Sequence, residues 1–567
     1  MSRHWLRLSI RLAALVVAAS SSGPPLTADD PPEADIEYRV AYVSAGSGGV
    51  YTYKPDQWGL LRVLLTNPRD VPVEVLCTSY FDQEPTLQYG RQIWLPPRSR
   101  LQTWHPIRIP SLSDPQQTQI GFHTQVVETG GSRDQIVRDD IGKMQLGGSL
   151  QVIRQPPVTG VITPMDAEPD AAAVAPFDLL VTGRLEQKLH RQTATLGDRV
   201  LPPMVEGLRS LDQLLLADDR MLDDAASLSA IRQWLFDGGR LWIMLDRVDP
   251  RLLDALLGDE SGVHFIDTVT LTHLQIIGGP TGPQIAEHLA EYERALKLVR
   301  VLVDDDDEVP LLVNGWPAAI WKRYGMGRLL VTTLESTAWV RPRTPEDPRP
   351  SQDDSKSTNY VPIPAFHELM RGYFAPRPER KSTAPPLDRM VGEYIGYSIP
   401  SRGLVSGLLG AFVGVLGVVA ISLLRSGRQE RLAGLTPVMA VIAAGVLMGV
   451  GYQHRHAIPP STALLQIVQP LPGTDDIQMT GHAAIYSQEA GTAVLTGDQG
   501  GWLLPALDGT EGTTRRMIWS DLDEWRWENV PQSPGLRTAE FGAAIEAPER
   551  VSARAEFGPT GLTGRVT

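Results

Sequence analysis

Three aspartates stand where a hard cation and its activated water could be held. Asp218 and Asp219 follow the apolar run Leu211–Ala217 (LDQLLLA), and Asp246 follows Arg240–Leu245 (RLWIML). Open α/β sheets bind ligands beyond the carboxyl ends of their strands, and carboxylate oxygens are the ligands that hard divalent cations take. The chemistry implied is a metal-assisted hydrolase acting on a cell-envelope glycan or peptide. The competing reading is local: Asp218, Asp219 and Asp223 sit just before a helix and can cap or solvate its start.

Other reactive residues point less clearly to chemistry. The acidic run Asp304 to Glu308 lacks the spaced ligands and glycine of a calcium loop and reads as a solvated loop. His454-x-His456 could clamp a metal if extended, but no third ligand accompanies it. Trp525 and Trp527 alternate with charged residues, so on a strand the two indoles share a face, as a sugar platform or as core. Cys77, the single cysteine, lies in a strand-like run and reads as a small buried apolar residue. It excludes intramolecular disulfides and cysteine-rich zinc sites. The motifs GxSxG, HExxH and GxxxxGK[ST] are absent, and Gly325-x-Gly327 precedes a strand, which makes it a turn. No cofactor is expected.

These residues need elements to hold them, and the chain is long enough for several domains: 567 residues with a formal charge of -14. The acidic balance argues against a nucleic-acid partner. Residues 1–22 carry Arg3, Arg7 and Arg11 before a short apolar stretch and small residues, the pattern of a signal peptide. From 36 to 155, short alternating runs separated by turn residues read as an immunoglobulin-like β-sandwich. From 176 to 340, apolar strands alternate with helices, a parallel α/β pattern of flavodoxin-like type. There Phe177–Thr182, Leu211–Ala217, Arg240–Leu245 and Leu329–Thr333 are expected as strands, and Asp224–Phe236 and Thr281–Val301 as helices.

Within this second segment, LDQLLLADDRMLDDAASLSAIRQWLFDGGRLWIMLD and WKRYGMGRLLVTTLES resemble the class I glutamine amidotransferase-like fold, in the enzymatically silent branch of ThuA-like domains. Its helix-to-strand "WL..GG.L" step and late "YG.G" strand are both present. Active members of the family place a nucleophilic cysteine in a Gly-rich turn after a central strand. Here that turn reads Leu245-Asp246-Arg247-Val248-Asp249-Pro250, with neither Cys nor Ser, and covalent catalysis needs that atom. The resemblance therefore implies the fold without the family's chemistry. The domain order as a whole resembles envelope membrane proteins of planctomycete-type bacteria.

Residues 341–400 open on a Pro- and charge-rich linker, after which FHELMRGYFA reads as a helix docking back on the α/β domain. Two uncharged runs follow, 403–424 and 435–452, each near the ~20 residues that a bilayer helix requires. The connection 425–434 holds Arg425, Arg428 and Arg431 against Glu430, which favours the cytoplasmic side. Residues 458–567 then read as an extracytoplasmic β-rich domain. It carries 14 acidic residues against 8 arginines from Gln453 onward, which argues against attraction to anionic lipid. The sequence thus describes a bacterial inner-membrane protein with both flanks extracytoplasmic and the bilayer as partner. Its expected role is non-catalytic binding or scaffolding of an envelope protein or glycan.

Overall fold

The computed structural model describes residues 33–566, apart from 43–44, 47–52, 113, 115–116, 131–133, 140–141, 145, 152–156, 165–172, 192, 197–200, 259–260, 283–284, 305–306, 348–358, 376–386, 398–399, 429, 498–500, 508–511, 521–523, 547–552 and 559–560. The signal-peptide reading falls outside these residues. The described chain is mostly β-sheet, in several sheets, with seven α-helices. Two of the helices, Arg402–Arg425 and Glu430–His456, are long and apolar enough to cross a membrane, and none of their residues is buried.

The first sheet has eleven strands, and its membership crosses the whole sequence. The amino-terminal strands alternate as expected: Val73–Phe81 turns Val75 and Cys77 inward, each wholly buried. The Cys77 thiol is pushed up to about 12 by desolvation, which fits a small core residue and not a nucleophile. On the far side of the two apolar helices, strand Arg515–Trp519 pairs in parallel with strand Glu84–Leu95, Arg515 opposite Leu87 and Trp519 opposite Arg91. Strands Trp525–Gln532 and Gly491–Gly497 extend the same sheet. The carboxyl-terminal segment therefore does not close on itself. Of its other strands, Ser461–Pro470, Asp476–Ser487, Gly535–Glu546 and Trp502–Pro505 make a separate four-stranded sheet, and Ala553–Gly558 pairs with Gly561–Val566.

The shared sheet has a shared core. Trp58, Tyr89, Ile107 and Phe122 pack with Met517, Trp519, Trp527 and Val530. Trp58 meets Trp519 edge-on, with ring centroids 6.0 Å apart. Trp527 is buried and Trp525 packs beside it, so this indole pair forms core. Beneath it, the fully buried Arg515 guanidinium donates to Glu84 Oε1 at 2.9 Å and Thr86 Oγ1 at 3.0 Å.

The second sheet has ten strands, and its centre is parallel: Ala194–Thr195, Thr159–Ile162, Gln213–Leu216, Arg240–Met244 and Gly327–Thr332 lie in that order. Both central strands are buried end to end, as their unbroken apolar runs require. Helix Ala225–Phe236 starts where Asp224 accepts the Ser227 backbone N–H at 3.1 Å. It ends at Gly238, whose φ of +104° is open to glycine, and at Gly239, where a Cβ would stand 2.5 Å from the Trp234 ring. The late glycine turn meets this same point: Met326 N–H donates to Phe236 C=O at 2.9 Å, and a Cβ on Gly327 would collide with the Leu235 carbonyl. Both glycine steps thus serve one close helix-to-strand packing.

Two expected elements are corrected. Phe177–Thr182 is not a strand; it lies in helix Pro176–Glu186, with proline in the first turn and Leu179 through Leu185 all buried. A helix buried on every side has no polar face, so its short apolar run imitates a buried strand. Thr281–Val301 is not a helix; it gives way to the long strand His288–Val303, paired antiparallel with Val263–Gly278. Its Ala, Glu, Leu, Lys and Arg content favours helix, yet burial alternates along most of its length, so cross-strand pairing overrides propensity. Strands Glu308–Val313 and Trp316–Tyr324 complete this antiparallel half of the sheet. Helix Pro364–Tyr373 docks on the α/β core as expected, with Phe366, Met370 and Tyr373 buried against Trp242 and Trp339.

The buried Arg515 pair yields a mutational ordering. Glu84→Ala takes the paired carboxylate from a fully buried guanidinium, which keeps the neutral acceptors Thr86 Oγ1 and Leu507 C=O, whereas Arg515→Met leaves a carboxylate that water already reaches. Arg515→Met is expected to cost roughly 2 kcal/mol, and Glu84→Ala more. Thermal melts of the full chain in detergent would show both losses and their order.

Candidate functional site

The three aspartates occupy the edge that the sequence implied, just beyond strands Gln213–Leu216 and Arg240–Met244. Their side chains do not assemble. Asp218 turns back on its own loop: its Oδ1 accepts the Arg220 backbone N–H at 2.8 Å and lies 3.3 Å from Arg220 Nε. Arg220 in turn donates to the Thr163 carbonyl at 2.7 Å, tying this loop to the end of the neighbouring strand. Asp219 is exposed and leads into the short helical turn Arg220–Asp223. The cap of the following helix is Asp224, one residue beyond the three acids considered for that part.

Asp246 is different in kind. Its side chain is 1% exposed, neither carboxylate oxygen has a hydrogen-bond partner, and the nearest cation is Arg247 Nε at 3.3 Å. Desolvation is the largest influence on it and pushes the carboxyl up to about 7, against the opposing pull of Arg247 and Lys297. Its surroundings come from the antiparallel half of the sheet. Lys297 Nζ donates to the Asp246 carbonyl at 2.7 Å, while the Lys297 backbone N–H donates to Glu335 Oε2 at 3.0 Å. Glu335 is buried as well and pairs with Arg294. Asp246 thus belongs to a buried charge cluster with Lys297 and Glu335. No local pattern announces it, because Lys297 lies in the segment whose composition suggests a helix.

Among the described residues, no three His, Cys, Asp or Glu side chains are grouped so as to hold a metal ion. The acidic run is partly engaged in structure: Asp307 meets Lys322 Nζ at 2.7 Å, and Glu308 meets Arg328 at 2.6 Å, while Asp305 and Asp306 lie outside the described residues. His454 and His456 fall in the last turn of helix Glu430–His456, where residues two apart point to different faces. The turn after the central strand, Leu245 to Pro250, holds the buried Asp246 beside the exposed Arg247.

No family model and no curated protein matches the chain. Solved structures with some similarity include a cytoplasmic protein of Salmonella typhimurium LT2, at 11% identity over 45% of this chain and 97% of that one, with a TM-score of 0.25. A second Salmonella typhimurium cytoplasmic protein matches at 10% identity over 38% of this chain and 85% of that one, TM-score 0.23. The sporulation control protein Spo0M of Bacillus subtilis matches at 10% identity over 21% of this chain and 50% of that one, TM-score 0.13. Likenesses this slight carry no argument.

The raised Asp246 carboxyl makes a signed prediction. Below about pH 4 both folded and unfolded chains hold the proton; between there and about pH 7 only the folded chain does. The stability contributed by this group is therefore full below about pH 4, falls progressively above it, and is lost once pH has risen through about 7. Asp246→Asn, neutral throughout, is expected to raise the melting temperature at pH 8 and to change it far less at pH 5. An equal shift at both values would contradict the burial argument.

Proposed function

We propose that this protein is a non-catalytic binding or scaffold protein of a bacterial cell envelope, anchored in the inner membrane by the hairpin Arg402–Arg425 and Glu430–His456. Both large flanks stand on the extracytoplasmic side. That the two flanks share one side is supported by the parallel pairing of Arg515–Trp519 with Leu87–Arg91. A chain that crosses a bilayer twice returns to the side it left, and only then can strands from its two flanks share a sheet. The arginines of the connection agree with a cytoplasmic turn.

In this reading the amino-terminal strands form an immunoglobulin-like module, and the parallel sheet with its helices is an amidotransferase-like domain without that family's reaction. The observation that carries the absence of catalysis is the separate engagement of the acids: Asp218 with Arg220, Asp246 with Arg247. A metal-assisted hydrolase of envelope glycan or peptide would need Asp218, Asp219 and Asp246 to converge, and it loses its support with them. The role then rests on surfaces, for an envelope protein or glycan partner.

Alkylation of single cysteines tests the topology. In spheroplasts a membrane-impermeant maleimide is expected to label Val71→Cys and to spare Ser426→Cys until the membrane is opened. Labelling of Ser426→Cys in intact spheroplasts would overturn the arrangement. For the role, turnover of an envelope fragment that Asp246→Asn abolishes would overturn scaffolding in favour of hydrolysis.

A further inference from the structure

Just before the first apolar helix, the short helix Leu387–Ile395 lies on the four-stranded sheet with two unlike faces. Leu387, Val391 and Ile395, four residues apart, share the inward side. Val391 is buried against Ala463 and Ala484, with Ile395, Leu465 and Leu536 closing round it. A Cβ on Gly392 would stand 2.7 Å from Leu536, so the helix is pressed close to the sheet. The other side presents Met390, 46% exposed, and Tyr394, 87% exposed, also four residues apart. Beside them runs the Arg389–Glu393 ion pair at 2.7 Å. Two large apolar groups side by side, on a helix already anchored through other residues, form an exposed apolar patch of the kind that marks a contact surface.

The position of this face says what covers it. The ring of Tyr397 lies 4.6 Å from that of Tyr486, and the Tyr486 hydroxyl donates to the carbonyl of Arg455, in the last turn of helix Glu430–His456. Gln488 donates to the Ile458 carbonyl at 2.8 Å, just beyond that helix. Both feet of the hairpin are thereby fastened to one sheet. Tyr394 is three residues from Tyr397, no more than about 11 Å along the chain. Tyr452, 64% exposed, stands one turn inside the second helix. Tyrosines at such a level are what the headgroup layer favours, because the ring enters the apolar boundary while the hydroxyl stays wet.

We propose that the outward face of helix Leu387–Ile395, through Met390 and Tyr394, is seated in the headgroup layer of the bilayer. There it holds the folded body at a fixed attitude above its hairpin. The inference rests on the reading of Arg402–Arg425 and Glu430–His456 as membrane spans. The attraction is apolar and aromatic, and the body is acidic, so seating does not require anionic lipid.

The test uses the full chain in phosphatidylcholine nanodiscs, with an environment-sensitive fluorophore on single cysteines at 394, 390, 71 and 413. Cys77 stays silent because it is wholly buried and its thiol is pushed up to about 12. With Tyr394→Cys and Met390→Cys, a headgroup nitroxide lipid is expected to quench roughly twofold more than with Val71→Cys, unchanged by added salt. Val413→Cys, inside the first span, should respond to an acyl-chain nitroxide. If the probes at 394 and 390 behave like that at 71 and are quenched by aqueous iodide while 413 still reports lipid, the seating is overturned and the spans stand. If 413 also escapes the lipid quenchers, the membrane reading fails and the seating with it.

Discussion

One five-residue pairing governs the molecule: Arg515–Trp519 laid parallel to Leu87–Arg91. Without it the amino-terminal sheet would present strand Glu84–Leu95 as an open edge, a row of unpaired backbone groups of the kind that recruits other chains. With it, residues more than 420 positions apart complete one core, in which Trp58 of one flank packs on Trp519 and Trp502 of the other. Parallel pairing closes no local turn, so its entropy cost is met only by a large buried surface, which the tryptophans supply.

That closure fixes how the rest is arranged. The carboxyl-terminal segment also grips the α/β domain, where Arg232 meets Asp476 at 2.7 Å and the Tyr324 hydroxyl donates to the Pro472 carbonyl at 2.8 Å. The two apolar helices are therefore an excursion from one assembled body and not a divider between two. Folding of the body needs both of its flanks on one side of whatever the helices cross.

The carboxyl edge of the parallel sheet shows how a site-like pattern can be structural. Strand ends place acids where α/β enzymes bind ligands, yet two of the three have a local employment, Asp218 closing a loop through Arg220 and Asp246 buried in a charge cluster with Lys297 and Glu335, while Asp219 is turned to solvent. The two conspicuous glycine motifs likewise serve packing, since Gly239 and Gly327 let the end of helix Ala225–Phe236 approach the strand beside it. Position in a fold offers the opportunity for chemistry, and the orientation of side chains decides whether it is taken.

What the sequence determined by itself were properties set within a few turns of chain. The two apolar helices follow from length and uninterrupted apolarity, the buried strands from their apolar runs, and the burial of Cys77 from its alternating strand, while the capping acid of helix Ala225–Phe236 proved to be Asp224 and not one of the three acids before it. Segments whose neighbours decide their state escaped it. His288–Val303 is extended because Val263–Gly278 pairs with it, against its own helical composition, and Pro176–Glu186 is helical despite an apolar run that suits a strand equally well. The parallel partner of Arg515–Trp519, the cluster around Asp246 and the apolar face of Leu387–Ile395 were decided by tertiary structure alone. Pairing, desolvation and exposure are relations between distant residues, and no local pattern of side chains encodes them.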